Sequence, residues 1–222
     1  DDLNTLSPRF KHAADLGCGL GPLLPTLSKK FTSVTAVDYS QEMISSAKKS
    51  NEHLTNIAYT QADLKDLRQF HSRFDVAIAV NSILEKNLSA VRQIVVEIFR
   101  SLKKGGRLFA IMPAMEVFLY QAMLIAEKET GNGRTDRQAR RRVIQIVDPE
   151  KHDFILGKVT YYGDTQKYFY RFEIQHLLKQ AGFKSIELSK VLYSWETFED
   201  AGQNKLDGEL LPWDWYVTCE KN

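Results

Sequence analysis

Short apolar runs alternate with amphipathic stretches along most of the chain. A run of small apolar residues ends at Asp15, and the segment that follows, residues 22–31, carries leucines and a phenylalanine at helical spacing. Further β-rich runs cover residues 33–38 and 57–62, and a continuous apolar run covers residues 74–80. Because that last run lacks polar alternation, it is typical of a strand buried on both faces of a parallel sheet. The pattern therefore predicts an α/β fold.

The rest of the chain continues this alternation of helices and strands. Periodic stretches predict further helices over residues 40–51, 88–102 and 171–181. Gly182 is placed to cap the last of these helices. A turn at residues 103–107 leads into the fifth of seven predicted strands. The last three strands are predicted over residues 108–112, 184–189 and 214–220.

Regularity weakens between residues 113 and 170. Crossovers between parallel strands typically need about a dozen residues, and this segment spans nearly sixty. The pattern predicts a helix near residues 115–129, then a basic helix, then a β-like piece around Tyr161 and Tyr162. Because long insertions with their own structure are usually functional, we expect residues 113–170 to form a lid, inserted between a core of residues 1–112 and its remainder, residues 171–222.

Three glycines, Gly17, Gly19 and Gly21, follow the first strand at alternate positions, after the acidic Asp15. Glycine adopts positive φ and lets the backbone approach a ligand where a Cβ would collide. The dinucleotide fingerprint G-x-G-x-x-G places its third glycine one residue later than this chain does. A pyrophosphate has no need of the carboxylate before the turn, whereas a ligand with an ammonium or sulfonium end does.

This stretch resembles the first motif, D/E-x-G-x-G-x-G, of class I S-adenosylmethionine (SAM) dependent methyltransferases, with Cys18 giving the Gly-Cys-Gly form. The lysine–glycine–glycine turn before the fifth strand is another feature of that family. The resemblance implies a doubly wound, seven-stranded, mostly parallel sheet of the Rossmann-like methyltransferase fold, with the last strand antiparallel between the fifth and sixth. It extends over the chain except for the insertion and residues 191–212.

A second acid, Asp38, ends the second strand 17 residues after Gly21. βαβ units place a carboxylate for a ribose diol at about this interval; the alternative is that Asp38 caps the next helix. Tyr39 follows and could lie against the adenine. The resemblance implies that Met43 lines the nucleoside pocket, although core packing explains that residue equally well.

The third and fourth strands end in residues that the resemblance assigns to the cofactor. Asp63 would accept a hydrogen bond from the adenine amino group, with the backbone beside it at Leu64 reading a ring nitrogen; an ordinary turn is the alternative. Asn81 follows the fourth strand, where the D-P-P-Y type sequence of nucleic-acid amino methyltransferases is absent. The predicted SAM-binding residues are Asp15, Gly17, Cys18, Gly19, Gly21, Asp38, Tyr39, Met43, Asp63, Leu64 and Asn81.

Composition narrows the partners and the compartment. A net charge of +2 over 222 residues gives no general reason to expect nucleic acid or an anionic membrane as partner. Cys18 and Cys219 have no second Cys or His at ligand spacing, so we expect no metal site. With no membrane-length apolar run and no signal peptide, we expect a cytoplasmic protein. The start at Asp1 is consistent with a domain cut from a longer chain, and the oligomeric state is open.

A basic segment within the insertion has two interpretations. Arg137, Arg140 and Arg141 share one helix face, with Arg134 and Arg142 nearby. This face could contact RNA phosphates, or it could be solvated and balanced by neighbouring acids. The lack of interleaved aromatic residues favours the second interpretation.

Methyl transfer from a sulfonium is an SN2 displacement that depends mainly on in-line placement and on exclusion of water. A general base matters only for a protonated, poor nucleophile, and we assign no catalytic residue. Glu85, Glu116 and His152 are candidates for a base by position alone. Four tyrosines could line an acceptor pocket or pack the lid: Tyr161, Tyr162, Tyr168 and Tyr170.

These observations predict a SAM-dependent methyltransferase that acts on a small-molecule acceptor and releases S-adenosylhomocysteine (SAH). One alternative is an RNA or protein acceptor bound through residues 134–142. Another is a SAM-binding module without activity. A third, an NAD-dependent enzyme, is disfavoured by the glycine spacing.

Overall fold

A seven-stranded sheet organises the chain in the computed structural model, which describes residues 5–195, 206 and 209–222. The ten strands of the described part are β1 His12–Leu16, β2 Ser33–Asp38, β3 Ile57–Gln61, β4 Phe74–Val80, β5 Leu102–Pro113, β6 His152–Asp153, β7 Lys158–Tyr161, β8 Asp164–Lys167, β9 Lys184–Leu192 and β10 Trp213–Glu220. The large sheet has the order β3-β2-β1-β4-β5-β10-β9, and β6, β7 and β8 form a separate sheet.

Strand directions in the large sheet confirm the predicted fold. β1 pairs in parallel with β2 and β4, and β4 pairs in parallel with β5. β10 lies antiparallel between β5 and β9. The sequence-based expectation of a mostly parallel sheet, with its last strand inserted antiparallel between the fifth and sixth, is therefore confirmed.

Six α-helices connect the strands. Their bounds in the described part are α1 Leu24–Lys30, α2 Gln41–Ser50, α3 Leu88–Ser101, α4 Glu116–Gly131, α5 Asp136–Ile146 and α6 Arg171–Ala181. Ser40 caps α2 by accepting a hydrogen bond from the Met43 N–H, and Gly182 ends α6 in the left-handed conformation, with φ of 107°. Serine is a common residue at helix N-termini, and glycine in the left-handed conformation is common at helix C-termini.

Helices cover both faces of the sheet because neighbouring strand residues point in opposite directions. Ala13 lies in one core cluster, together with Leu24 of α1 and Ala47 of α2. Ala14 lies in the other, together with Ile94 of α3 and Leu178 of α6. The sheet is therefore doubly wound, and its buried centre leaves the carboxyl ends of the parallel strands free to form a site.

The fifth strand begins earlier than predicted. Leu102 already pairs with Phe74, after which the register shifts and Val76 pairs with Arg107. Gly105 lies within this irregularity with φ of 75°, so the glycine-rich residues form a bulge inside β5. The prediction of a turn that precedes a strand over residues 108–112 was wrong in this respect, because pairing with β4 resumes on both sides of the bulge.

Residues 113–170 contain α4, α5 and the three-stranded sheet. Their own small core holds Met115, Phe118, Val147 and Val159. The segment also contacts a loop of the large sheet, because the Lys167 N–H donates a hydrogen bond to the Leu84 carbonyl over 3.0 Å. This contact brings β8 next to the loop that follows β4. Within the described residues, no helix is long and apolar enough to cross a bilayer.

Candidate functional site

The three glycines after β1 all have positive φ, but their surroundings differ. A Cβ on Gly17 would lie 2.3 Å from the Cβ of Ser82, and one on Gly21 would lie 2.7 Å from a Leu24 methyl group. A Cβ on Gly19 would meet nothing within 4 Å. The outer two glycines therefore allow close packing of the turn, whereas Gly19 borders open space.

Asp38, at the end of β2, holds this turn in place. Its Oδ2 accepts a hydrogen bond from the Gly19 N–H over 2.9 Å, and its Oδ1 accepts one from the Ser40 N–H over 2.9 Å. Because the Ser40 side chain caps α2, Asp38 is not itself the helix cap that formed the alternative interpretation. A carboxylate offers about four lone-pair sites, so Asp38 retains acceptor capacity toward a ligand.

Asp15 is a buried acid behind the turn. Its side chain is only 2% exposed, and its Oδ2 has no hydrogen-bond partner among the described residues. Burial, and secondarily the charge of Asp38, raises the pKa of Asp15 to about 7. Ser82, which a Cβ on Gly17 would meet, has a hydroxyl that is likewise buried without a partner in the described part of the chain. Two unsatisfied polar groups therefore lie at the glycine turn.

A cavity of about 680 Å³ opens at the carboxyl ends of β1, β2, β3 and β4. Seven of the eleven predicted cofactor residues line it: Gly17, Gly19, Asp38, Tyr39, Asp63, Leu64 and Asn81. Ligands of doubly wound sheets bind at this edge. The structure therefore brings together acids from the ends of β2 and β3, and the amide of Asn81 after β4, around one space.

Four predicted residues do not line this cavity. Asp15 and Cys18 are buried behind it, and Gly21 packs against Leu24 and Ala47. Burial and the nearby charges of Asp15 and Asp38 raise the pKa of Cys18 to about 12, so its thiol stays protonated. Met43 lies on α2, partly exposed and away from the lining.

Lys65 is a lining residue that sequence reasoning missed. Its Nζ lies 2.7 Å from Glu85 Oε1 and 3.3 Å from Asp63 Oδ2, and these two acids raise the pKa of Lys65. Asp63 also accepts a hydrogen bond from the Lys65 N–H, in the turn that the alternative interpretation foresaw. Asp164, Thr165 and Gln166 of β8 complete the wall, so the segment at residues 113–170 does reach the cavity.

A smaller pocket of about 270 Å³ adjoins the first cavity. The two share Asn81, Leu84 and Gln166, and the smaller one is completed by Pro113, Tyr168, Tyr193 and Asp214. Asn81 has a positive φ of 46°, which is uncommon for a residue other than glycine. Asn81 thus lies in the wall between the two spaces.

The candidate bases from the sequence differ in position. Glu85 lines the larger cavity but is paired with Lys65. Glu116 accepts hydrogen bonds from the Arg171 N–H and the Trp215 indole. His152 is buried next to the Phe118 ring, and its Nδ1 contacts the Asp148 carbonyl. The latter two are structural groups that line neither space.

The tyrosines and arginines of the insertion divide in a similar way. Tyr168 lines the smaller pocket, whereas Tyr161 and Tyr170 pack on the core of the insertion and Tyr162 is fully exposed. Exposed arginines of α5, Arg137, Arg140 and Arg141, line neither space. Arg134 pairs with Glu129 and Arg142 contacts Gln145.

Part of the chain is similar in sequence to known methyltransferases. The family model described as "Methyltransferase domain" matches residues 13–106. The ubiquinone biosynthesis O-methyltransferase of Coxiella burnetii is 34% identical over 100 residues, which cover 45% of this chain and 42% of that protein. The chain thus spans less than half the length of this curated relative.

Solved structures share the fold over nearly the whole chain. The PH0226 protein of Pyrococcus horikoshii superposes with a TM-score of 0.69 at 17% identity, covering 99% of this chain and 86% of that one. The N-methyltransferase NodS of Bradyrhizobium japonicum, solved with SAH, superposes with a TM-score of 0.59 at 11% identity, covering 96% and 78%. These likenesses show a Rossmann-like methyltransferase fold.

The molecule is therefore an α/β protein whose residues 13–106 match the methyltransferase-domain model. These matches agree with the resemblance to class I SAM-dependent methyltransferases that the glycine motif carries.

Proposed function

We propose that the chain binds SAM in the 680 Å³ cavity and transfers its methyl group to a small-molecule acceptor. The observation that carries this proposal is the unpartnered Oδ2 of the 2% exposed Asp15 at the glycine turn. A buried polar atom without a partner costs free energy, and such atoms in native proteins call for an explanation. Asp15 itself does not line the cavity, but Gly17 and Gly19 of the same turn do, so an ammonium group bound at this turn would supply the missing partner.

The residues around the cavity fit the other parts of SAM. Gly19 leaves space for close backbone approach beside the amino-acid portion. Asp38 has acceptor capacity left for the ribose hydroxyl groups, and Asp63 lies at the next strand end, where the adenine amino group would reach it. Tyr39, which is 78% exposed, would cover the nucleoside.

In this proposal, most of the rate enhancement comes from holding the acceptor in line with the methyl group of SAM. Bound SAM supplies an activated sulfonium methyl group. Holding the acceptor in line with it can contribute roughly 7–11 kcal/mol to lowering the barrier. Gln166 of β8 and Asn81 border both spaces, so they would orient the acceptor toward the methyl group. Residues 113–170 would act as the lid, with β8 excluding water above the cavity.

The position and size of the smaller pocket favour a small acceptor over a macromolecule. The pocket of about 270 Å³ adjoins the cofactor cavity directly, whereas the exposed arginines of α5 line neither. The relatives' names are consistent with this choice, since one is a ubiquinone biosynthesis O-methyltransferase. Cys18 and Cys219 are free thiols, as is usual in reducing compartments, which supports the cytoplasm as the site of action.

Isothermal titration with SAM, SAH and NAD tests the cofactor, and transfer of a labelled methyl group tests the activity. We expect saturable binding of SAM and SAH, no binding of NAD, and label transfer to a small molecule. Binding of NAD instead would refute the proposal. Tight SAM binding without transfer to any acceptor, including RNA and protein, would mean that the chain is an inactive SAM-binding module.

A further inference from the structure

The 270 Å³ pocket contains a carboxylate whose hydrogen-bond donors are all neutral. Asp214 Oδ1 accepts a hydrogen bond from the Ala114 N–H over 3.2 Å. The Tyr193 hydroxyl and the Asn81 side-chain amide also donate to Asp214. Three neutral donors orient a carboxylate but do not neutralise its charge.

The other lining residues add no positive charge. Leu84, Pro113 and Gln166 are uncharged, and among the described residues that line the pocket Asp214 is the one charged group. Among the described residues that line the pocket, the other titratable groups are the two phenols of Tyr168 and Tyr193. Burial and the charge of Asp214 raise the pKa of Tyr168, and the same causes with the hydrogen bond to Asp214 raise the pKa of Tyr193 to about 12. Both phenols therefore stay neutral.

Partial burial of a charge without a counter-ion is costly, and burial raises the pKa of Asp214 against the effect of its donors. A carboxylate has about four lone-pair sites, and three donors leave about one for a ligand. A cationic ligand would provide both the missing donor and the missing charge. The two phenols, Tyr168 and Tyr193, line the same pocket, and aromatic rings can attract cations.

We propose that this pocket binds a small organic amine as the methyl acceptor, with Asp214 as its counter-ion and proton acceptor. The inference rests on the proposed SAM-dependent function of the adjoining cavity. The pocket volume lies near the lower end of ligand sites, so the amine is a compact one. Asn81 and Gln166 border both spaces and orient the nitrogen toward the cofactor.

The transfer step balances with these groups alone. The ammonium nitrogen gives one proton to the Asp214 carboxylate and keeps its electron pair. That pair forms the new N–C bond to the methyl carbon while the C–S bond breaks, and the sulfonium becomes the neutral thioether of SAH. The product is a methylated ammonium ion, and Asp214 returns its proton to solvent when the product leaves.

The test compares acceptors of the same shape. Phenethylamine and benzylamine are matched with 2-phenylethanol, benzyl alcohol and phenylacetate, using labelled SAM for turnover and SAH-saturated protein for binding. We expect only the amines to bind and to accept label. In Asp214→Asn, which keeps the shape, we expect kcat/KM for amines to fall roughly 10²-fold or more, with SAM affinity within twofold of wild type.

Two further variants separate this role from a structural one. Tyr193→Phe removes one donor and should raise KM for amines more than it lowers kcat. Glu187→Gln, an exposed carboxylate of β9 that lines neither space, should change neither constant. Methylation of the alcohols at rates that Asp214→Asn leaves unchanged would overturn the inference while the methyltransferase proposal stands.

Failure of both binding and turnover for every amine, in protein that binds SAM, would also overturn the inference. Failure to bind SAM at all would instead refute the proposed function on which it rests. Thermal unfolding of each variant identifies any loss of fold, and Tyr193→Phe then carries the test if Asp214→Asn is unstable.

Discussion

The Oδ2 of Asp38 accepts a hydrogen bond from the backbone N–H of Gly19 over 2.9 Å. This bond ties the acid at the end of β2 to the turn that follows β1. The other oxygen of Asp38 binds the Ser40 N–H at the start of α2. A single carboxylate therefore fixes two connections that border the cavity, and the proposed ribose contact would be its third function.

Asp38→Ala should weaken SAM binding by about 1–3 kcal/mol, the scale for losing a hydrogen bond to a charged group. We also expect a lower melting temperature, because the Gly19 and Ser40 N–H groups lose their acceptor. Titration calorimetry and thermal unfolding measure the two effects. Glu42→Ala, an exposed carboxylate in the first turn of α2, is the control. Unchanged SAM affinity in Asp38→Ala would mean that the ribose lies elsewhere.

Asp15 should make SAM binding depend on pH. Burial raises its pKa from 3.8 to about 7, and only its ionised form pairs with an ammonium group. An α-amino group stays protonated below about pH 7.7, so affinity should rise roughly tenfold between pH 5.5 and 7 as one proton is released. Asp15→Asn should bind weakly with no such rise. Parallel pH profiles for the two proteins would contradict this assignment.

The raised pKa of Asp15 should also make the stability of the ligand-free protein depend on pH. Because the folded state binds the Asp15 proton more tightly than the unfolded state, the free energy of unfolding should fall as pH rises from about 4 to 7. Asp15→Asn should remove this part of the pH dependence. Urea unfolding at pH 4.5 and at pH 7.5, with and without saturating SAH, measures it. An equal fall in both proteins would show that Asp15 is not buried as a neutral acid.

Two glycine substitutions should separate stability from binding. Gly17→Ala would place a Cβ 2.3 Å from Ser82, so we expect a large loss of stability. Gly19→Ala has open space around it and should cost only the ~1–2 kcal/mol of a left-handed alanine. Its new methyl group would enter the cavity, so SAM affinity should fall by more than stability does. Unfolding curves and calorimetry on both variants test this, and full SAM affinity in Gly19→Ala would contradict the proposed pose.

Asp63 should discriminate the base of the cofactor. A carboxylate accepts from the amino group of adenine but repels the carbonyl of hypoxanthine. Wild-type protein should therefore prefer SAH over its hypoxanthine analogue, and Asp63→Asn should reduce that preference by about 1–3 kcal/mol. Competition titrations of wild type and Asp63→Asn, each with SAH and with the hypoxanthine analogue, give the coupling free energy between residue 63 and the base. Asp66→Asn, in the same loop and paired with Arg68, should leave the preference intact. A preference that survives in Asp63→Asn would remove Asp63 from the adenine site.

Most of the helices and strands were predictable from the spacing of apolar residues along the sequence. The apolar run of β4 and the helical spacing of α1 follow directly from burial, and Gly182 ends α6 as its type suggests. The antiparallel place of β10 came from the family resemblance, because pairing of distant strands leaves no local pattern. The bulge around Gly105 was missed because a turn and a bulge use the same residues.

Residues that line the cavity were predictable only where a strand end and a residue type coincide, as at Asp38 and Asp63, and their contacts with SAM stay a prediction. Met43 shows the limit, since helical spacing does not tell which partly exposed residue borders a cavity. Lys65 and Asp214 have no motif, and Asp214 lies 133 residues after Asn81, with which it shares a pocket. Long-range topology brings such residues together, and a local pattern does not encode it.

The central claim is that the glycine turn and its surrounding acids hold SAM, and a crystal structure grown with SAH tests it most directly. We predict the amino group within hydrogen-bond distance of Asp15 or of the turn beside it, the ribose hydroxyls on Asp38 and the adenine amino group on Asp63. An empty cavity at saturating SAH, or SAH bound at another place on the molecule, would contradict the claim.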